Sequence, residues 1–365
     1  MRLLRVRKRV RVFLNWPVSA WNSWCASITS CPCASTASLG LTVFERGGTT
    51  MSELRVGIIG AGGHAQSHFR MIHDEPEMAL VAVADLDPER LAHTRETHGV
   101  TSLFTDYREM IEKVQLDVVY VVTFPGPLPD IVIDCLEAGL HTSVEKPPGI
   151  SSDQTRRMME AERRSSARAI VSVNRRYIPE VLAIRALLQD RGGPVHVAAT
   201  YNKPHIGDKV RDVGHLIRLD AIHHVDLLRW LAGDAVEVYS EAWSAPSHPA
   251  EMRHNAVIKF ESGCRGVMMS HYAVGYRIQR FEAHAEDFSA YVDLTSGPRC
   301  EIYADGEPFE DELDLESVGG PDFNETRHFV ACIKNDTQPW STLEDAIKTM
   351  RLCEAIEAGH KGQLE

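Results

Sequence analysis

The chain lacks several things, and each absence excludes a class of protein. No run of its 365 residues is apolar and long enough to span a bilayer as a helix, so the sequence does not predict a helical membrane protein. No Cys-x-x-Cys pair and no zinc-ligand spacing occurs. Its eight cysteines are scattered: Cys25, Cys31 and Cys33 fall in the first fifty residues, and Cys135, Cys264, Cys300, Cys332 and Cys353 follow, odd in number. That pattern excludes a disulfide framework and predicts a reducing, cytoplasmic location. Positive charge is scarce where it would matter. The net charge is −12, but residues 1–50 carry +6 and the remainder −18. A body this acidic is a poor partner for nucleic acid or an anionic membrane surface. No internal repeat or low-complexity tract follows residue 50. What remains is a globular composition, 44% apolar and 25% charged, with length for two domains.

Residues 1–50 differ from the rest. Arg2, Arg5, Arg7, Lys8, Arg9 and Arg11 precede Trp16, Trp21 and Trp24 and then a Ser/Cys/Ala-rich stretch. Asn15, Pro17 and Asn22 interrupt the apolar stretch that a secretory signal needs, so the expectation is a disordered or spurious extension, with Met51 as the natural start.

Beyond Met51 the richest feature is an apolar strand, Val56 to Ile59, running into Gly60-x-Gly62-Gly63-His64-Ala65 and a helical stretch. Gly60 permits the tight turn, Gly62 lets backbone approach a pyrophosphate, and Ala65 lets the helix pack close to the sheet. The helix N-terminus offers N–H groups and partial positive charge to phosphates. The next strand, Ala79 to Ala84, is closed by Asp85, the position from which a carboxylate reaches a ribose. With Leu86 next and no arginine beside it, NAD is expected over NADP. Short apolar runs then alternate with helical periods. Asp87-Pro88 opens a helix that ends before Gly99, and Thr105-Asp106 caps a short one. Asp117 to Thr123 is a continuous β-branched run, Leu140 to Glu145 another strand, Ser151-Ser152-Asp153 a helix start, and Ala169 to Asn174 the last strand. This βαβαβ order predicts a doubly wound parallel sheet whose cofactor crevice lies just past the strand ends. Thr123, Phe124, Pro125, Glu145 and Lys146 fall there. The second half reads as an α+β domain with a mostly antiparallel sheet. Its strands are Val195 to Tyr201, Ala235 to Trp243, Asn255 to Phe260, Cys264 to Val274 and Arg280 to His284. Helices are expected at about Asp220 to Leu231, Asn324 to Lys334 and Leu343 to Ala358.

Two constellations carry chemistry. A lysine at the strand end Glu145-Lys146-Pro147 can donate to a substrate hydroxyl and stabilise a developing alkoxide. In Asp220-Ala-Ile-His223-His224-Val-Asp226, steps of three set Asp220, His223 and Asp226 near one helical face, with His224 about 100° away. A histidine oriented by a carboxylate is a usable base near neutral pH. No further ligand cluster accompanies it, so no metal is expected.

From Met51 onward the chain resembles the glucose-fructose oxidoreductase, inositol dehydrogenase and rhizopine-catabolism (Gfo/Idh/MocA) family. The likeness rests on Gly-Ile-Ile-Gly-Ala-Gly-Gly-His, Val-Ala-Asp-Leu-Asp-Pro-Glu-Arg, the Glu145-Lys146-Pro147 segment, Asn174-Arg175-Arg176-Tyr177, the Asp-x-x-His-x-x-Asp helix and Trp-Ser-Thr-Leu-Glu-Asp-Ala near the end. The resemblance implies a Rossmann domain over residues 51–174 and an open-faced sheet domain over 175–365. It also implies a nicotinamide cofactor, and homodimers or homotetramers formed through the open sheet. It implies an oxidoreductase acting on a hydroxyl or carbonyl of a sugar, cyclitol or similar small molecule. Catalytic Lys146, Asp220 and His223 follow from it, with Lys146 stabilising the oxyanion, His223 taking the proton and Asp220 orienting. Arg175 is expected at the cofactor; Asn174, Tyr201, Lys203 and His205, with Lys146, Asp220 and His223, at the substrate. Two departures stand out. Thr123-Phe-Pro-Gly-Pro-Leu128 lacks the usual histidine, and the family's four-residue step from aspartate to histidine is three to His223 and four only to His224. A non-catalytic dinucleotide- or sugar-binding regulator of the same fold is the alternative, but it would dispense with the Lys146 and His223 pair.

Overall fold

The computed structural model describes residues 53–204, 215–245 and 248–364, so the expectation for residues 1–50 lies outside it. The first half alternates β1 (Leu54–Ile59), α1 (Ala65–His73), β2 (Met78–Ala84), α2 (Pro88–His98), β3 (Ser102–Phe104), α3 (Tyr107–Lys113), β4 (Val118–Val121), α4 (Leu128–Glu137), β5 (His141–Val144), α5 (Ser152–Arg164) and β6 (Ala169–Val171). The strands form one parallel sheet in the order β3-β2-β1-β4-β5-β6, that of a Rossmann fold. Local chemistry sets its joints. The Asp87 carboxylate accepts from Glu89 N at 2.9 Å to cap α2, Pro88 opens the helix, and Gly99 at φ +70° ends it. Asp106 and Ser151 cap α3 and α5 in the same way. All four residues of β4 are buried, as a strand covered on both faces requires. β3, three residues long, is too short to leave a periodic signal.

A 3-10 turn (Asn174–Tyr177) leads into α6 (Pro179–Gln189), β7 (His196–Lys203), a π-helical turn (Ile217–Ala221), α7 (Ile222–Ala232), β8 (Ala235–Ala245), β9 (His248–Phe260), β10 (Arg265–Tyr272), β11 (Ile278–Ala285), β12 (Phe288–Asp293), β13 (Arg299–Ala304), β14 (Glu307–Pro308), α8 (Glu325–Lys334), α9 (Leu343–Glu357) and β15 (Lys361–Gln363). The second sheet has nine strands in the order β14-β13-β12-β11-β7-β10-β9-β8-β15, antiparallel except for the parallel pair β7 and β10. Helix α6 was not apparent in the sequence because its run Val181-Leu182-Ala183-Ile184 is apolar on every side and buried throughout. The sheet is two-sided: along β10 exposed or half-buried residues alternate with buried ones. Its buried face packs on α7 and the second half of α9, while Tyr239, Val257, Met269, Tyr291 and Tyr303 stand exposed on the other.

The last two helices both pack on the first half, and the second of them on the second sheet as well. Phe329 and Val330 of α8 join the core of Val56, Ile58 and Tyr120. Leu343, Ala346 and Ile347 at the start of α9 pack in the core that holds Val121, Val144 and Met158. Farther along α9, Met350, Cys353 and Ile356 belong to the core of the second sheet. Among the described residues no helix is long and apolar enough to cross a membrane.

Candidate active site

The turn between β1 and α1 begins with a residue that must be glycine. At φ +100°, a Cβ on Gly60 would lie 2.2 Å from the Val122 carbonyl oxygen. Gly62 and Gly63 differ: a Cβ would meet only the tip of Arg90 at 3.9 Å in the first case and nothing within 4 Å in the second. The protein itself does not require glycine there. Bare backbone at this point leaves room for an occupant of the cleft that it borders. That cleft, about 1120 Å³, is lined by Gly60, Gly62, Gly63, His64 and Ala65, and then by Asp85 at the end of β2. Thr123, Phe124 and Pro125 after β4, and Glu145 and Lys146 after β5, complete its wall. No side chain caps the N-terminus of α1 at His64; Ala65 N donates to the Gly62 carbonyl at 3.1 Å and Ser67 N to that of His64 at 3.3 Å, so the positive end of the helix faces the cleft with its first turn already wound. The dimensions and the donor set fit a dinucleotide.

Asp85 is held by backbone. Its Oδ2 accepts from Ala61 N at 2.6 Å and its Oδ1 from Asp87 N at 2.8 Å. Leu86 is exposed, as expected of a residue turned from the sheet. An arginine is nevertheless present: α2 returns Arg90 to the cleft, its Nη1 3.6 Å from Asp85 Oδ2. The expectation that no arginine stands near Asp85 is therefore corrected, because one helical turn closes a gap that looks wide in sequence.

At the other end of the cleft Lys146 Nζ donates to the Leu219 carbonyl at 3.2 Å, which ties the end of β5 to the π-helical turn. Glu145 lines the cleft, but its carboxylate is engaged by His68 of α1, Oε2 to Nε2 at 2.9 Å. Behind them Glu325 of α8 accepts from Ser172 Oγ at 2.7 Å. Burial pushes the Glu325 carboxyl up to about 7 against the opposing influence of His68 and Ser172. Burial works against the charged form of His68, yet its bond to Glu145 and the charges of Glu325 and Glu145 hold its pKa above the usual value. Neither His68 nor Glu325 carries a local sequence signal.

The two adjacent histidines separate clearly. His224 is fully buried, edge-on to the Tyr201 ring at 5.2 Å, and neither ring nitrogen has a hydrogen-bond partner among the described residues. Burial and then the charge of Arg175 push its pKa down to about 3. His223 is only partly buried, and its pKa is held well below the usual value by burial and then by Lys146, Arg175, His224 and Lys203. It is therefore a neutral imidazole surrounded by cations. Asp220 does not bond it. Asp220 Oδ1 accepts from Tyr201 Oη at 2.7 Å and Lys203 Nζ at 2.6 Å, and Oδ2 from Tyr272 Oη at 2.7 Å. Burial would raise this carboxyl, but Lys203 and the three donated bonds hold it below the usual range. The pictured face of Asp220, His223 and Asp226 fails because Asp220 lies in the π-helical turn, where 3.6 residues per turn does not apply. Asp226 instead pairs with buried Arg176, Oδ2 to Nε at 2.6 Å.

Arg175 sits with the histidines and not in the nucleotide cleft: its Nη2 donates to Gln279 at 2.7 Å, and Gln279 is the cross-strand partner of Tyr201. The turn after β6 carries it past the strand ends, so it is not among the residues that line the cleft where a cofactor contact was expected. Asn174, at the start of that turn, is exposed. His205 lies outside the described residues. Tyr272, at the end of β10, carries no local sequence signal, because its bond to Asp220 spans 52 residues of chain.

Comparison with known proteins agrees with this architecture. The family model described as an oxidoreductase family with an NAD-binding Rossmann fold matches residues 54–174, and the GFO/IDH/MocA C-terminal domain matches residues 173–291. The chain is 24% identical over 331 residues to a D-apiose dehydrogenase of Paraburkholderia graminis, covering 84% of this chain and 88% of that protein. It is 28% identical over 240 residues to an inositol 2-dehydrogenase of Paracoccus denitrificans, covering 62% and 70%. The structure of the WlbA dehydrogenase from Bordetella pertussis, in complex with NADH and UDP-GlcNAcA, superposes with a TM-score of 0.74 at 22% identity, covering 86% of this chain and 98% of that one.

Proposed function

This chain belongs to the GFO/IDH/MocA oxidoreductase family, and on that footing we propose that it is a nicotinamide-dependent dehydrogenase or reductase acting on a CH–OH or carbonyl group of a polyhydroxylated small molecule. One observation carries the reading: Lys146 is tied through Leu219 to the segment that presents His223, where the dinucleotide-sized cleft ends. The cofactor, when bound, supplies or takes up the hydride. Gly60 to Ala65 would hold its pyrophosphate and Asp85 its ribose. Lys146 donates to the substrate oxygen and stabilises negative charge on it, and neutral His223 takes the hydroxyl proton. Asp220 is a positioning residue that fixes Tyr201, Lys203 and Tyr272 around the substrate. A screen of sugars, alditols and cyclitols, following the absorbance of the reduced nicotinamide, tests the reading. Cofactor binding with no hydride transfer to any polyol or its carbonyl form counts against it.

NAD(H) is the expected cofactor. A 2′-phosphate beside Asp85 meets a like charge, worth about 1–3 kcal/mol on the scale of charged hydrogen bonds. The lower end is expected, because Arg90 attracts the same phosphate. Fluorescence titration should give tighter NADH than NADPH binding, with Arg90→Ala widening the gap and Asp85→Ser with Leu86→Arg closing it. Tighter NADPH binding by the unaltered protein would refute the assignment.

We also propose that the exposed face of the second sheet joins copies of the chain. Tyr239 and Val257 are cross-strand partners, both about half exposed (52% and 53%), and Met269 lies on the same face. Light scattering should give at least twice the 40.7 kDa chain mass, and Val257→Lys should shift it towards the monomer. A monomer at micromolar concentration contradicts this.

A further inference from the structure

Among the described residues, the polar groups around His223 do not balance in charge. Among the described residues, Asp220 is the carboxylate of this cluster, and one cation satisfies it: Lys203, with Nζ 2.6 Å from Oδ1. Two more cations stand beside them with only neutral acceptors among the described residues. Lys146 Nζ has the Leu219 carbonyl at 3.2 Å, and Arg175 Nη2 has the Gln279 amide oxygen at 2.7 Å. Arg175 Nε is buried and has no hydrogen-bond partner among the described residues. The sheet register places these groups together. Tyr201 of β7 pairs with Gln279 of β11, so the anchor of Asp220 and the anchor of Arg175 are neighbours on one face. Arg277, two residues before Gln279, adds positive charge that Tyr201 and Arg175 both sense.

A half-buried guanidinium with a neutral partner and an idle N–H is costly unless something negative completes it. Oxyanion stabilisation accounts for one cation, Lys146. It leaves Arg175 without a task. Arginine's planar fork suits a carboxylate, which accepts two parallel bonds from it. We propose that the substrate is a polyhydroxy carboxylic acid, of the aldonate or uronate class, whose carboxylate is seated on Arg175 while its reacting hydroxyl faces Lys146 and His223. This rests on the oxidoreductase reading above and narrows it.

The test uses the full chain with matched pairs that differ in the acid group: D-gluconate against D-glucitol, D-galacturonate against D-galactose, D-glucuronate against D-glucose, with D-glucose 6-phosphate as a second anion. The acids should be favoured in kcat/KM by about 10- to 100-fold, the range of one charged hydrogen-bonded pair. Binding to NADH-loaded protein, read by nicotinamide fluorescence, should show the same order and weaken with salt. Arg175→Gln should remove about that factor from the acid-to-neutral ratio of kcat/KM, whatever it does to the rate common to both members of a pair, and Arg175→Lys should restore part of the ratio. Neutral members handled as well as the acids would overturn the inference while the oxidoreductase reading stands. So would a preference for the phosphate, or no acid binding at all. Acids that bind through Arg175 without hydride transfer would keep the carboxylate seat but remove the oxidoreductase reading, and with it the acid's part as substrate.

Discussion

Replacing His223 with alanine should lower kcat by about 10²–10⁴-fold, and Lys146→Ala should do comparable damage, with NADH affinity nearly unchanged in both. His223 is the partly exposed member of the histidine pair, and the charges that depress its pKa include Lys146. Removing it takes away the proton acceptor without opening the core. His224→Ala should behave in the opposite way. Its ring is fully buried against Tyr201, so its loss leaves a cavity and should cost about 1–3 kcal/mol of stability, with kcat within about tenfold. Steady-state kinetics with thermal unfolding on the three variants decides the matter. An inactive His224→Ala beside an active His223→Ala would mean that the base has been assigned to the wrong ring.

Asp226→Ala should leave chemistry alone and weaken the fold by about 3–5 kcal/mol, the cost of stranding a buried charge. Arg176 is 1% exposed and bonds both oxygens of Asp226, which also accepts from Thr349 Oγ1 at 2.9 Å. Asp345 and the Trp340 carbonyl stay with the guanidinium after the substitution, so the lower end of that range is expected. The check is urea unfolding, comparing midpoints at equal slope. A variant with unchanged stability and lost kcat would refute this structural role for Asp226.

How far the sequence reached follows from the range of each interaction. The first sheet was legible because its joints are local: Asp87 bonds two residues ahead, Gly99 ends α2 through its own backbone, and β4 shows its burial in its composition. Most of the cleft was legible for the same reason, since strand ends can be found from strands. Asp226 was not. Its partner Arg176 lies fifty residues earlier, and nothing near either residue announces the pairing. The π-helical turn was equally hidden, because one extra residue in a turn leaves no mark on hydrophobic periodicity. Tyr272, His68 and Glu325 acquire their meaning only from partners across the fold.

Helix α9 has a consequence for modularity. Leu343 and Ile347 fill the first core and Met350 and Ile356 the second, along a single rod. The two sheets therefore share a structural member that neither can surrender without exposing apolar surface to water. The halves of this protein are not interchangeable parts. A nucleotide-binding half transplanted without the chain's last forty residues would arrive with an open seam, and a hybrid that borrowed only the second sheet would inherit half a helix with nothing to press against.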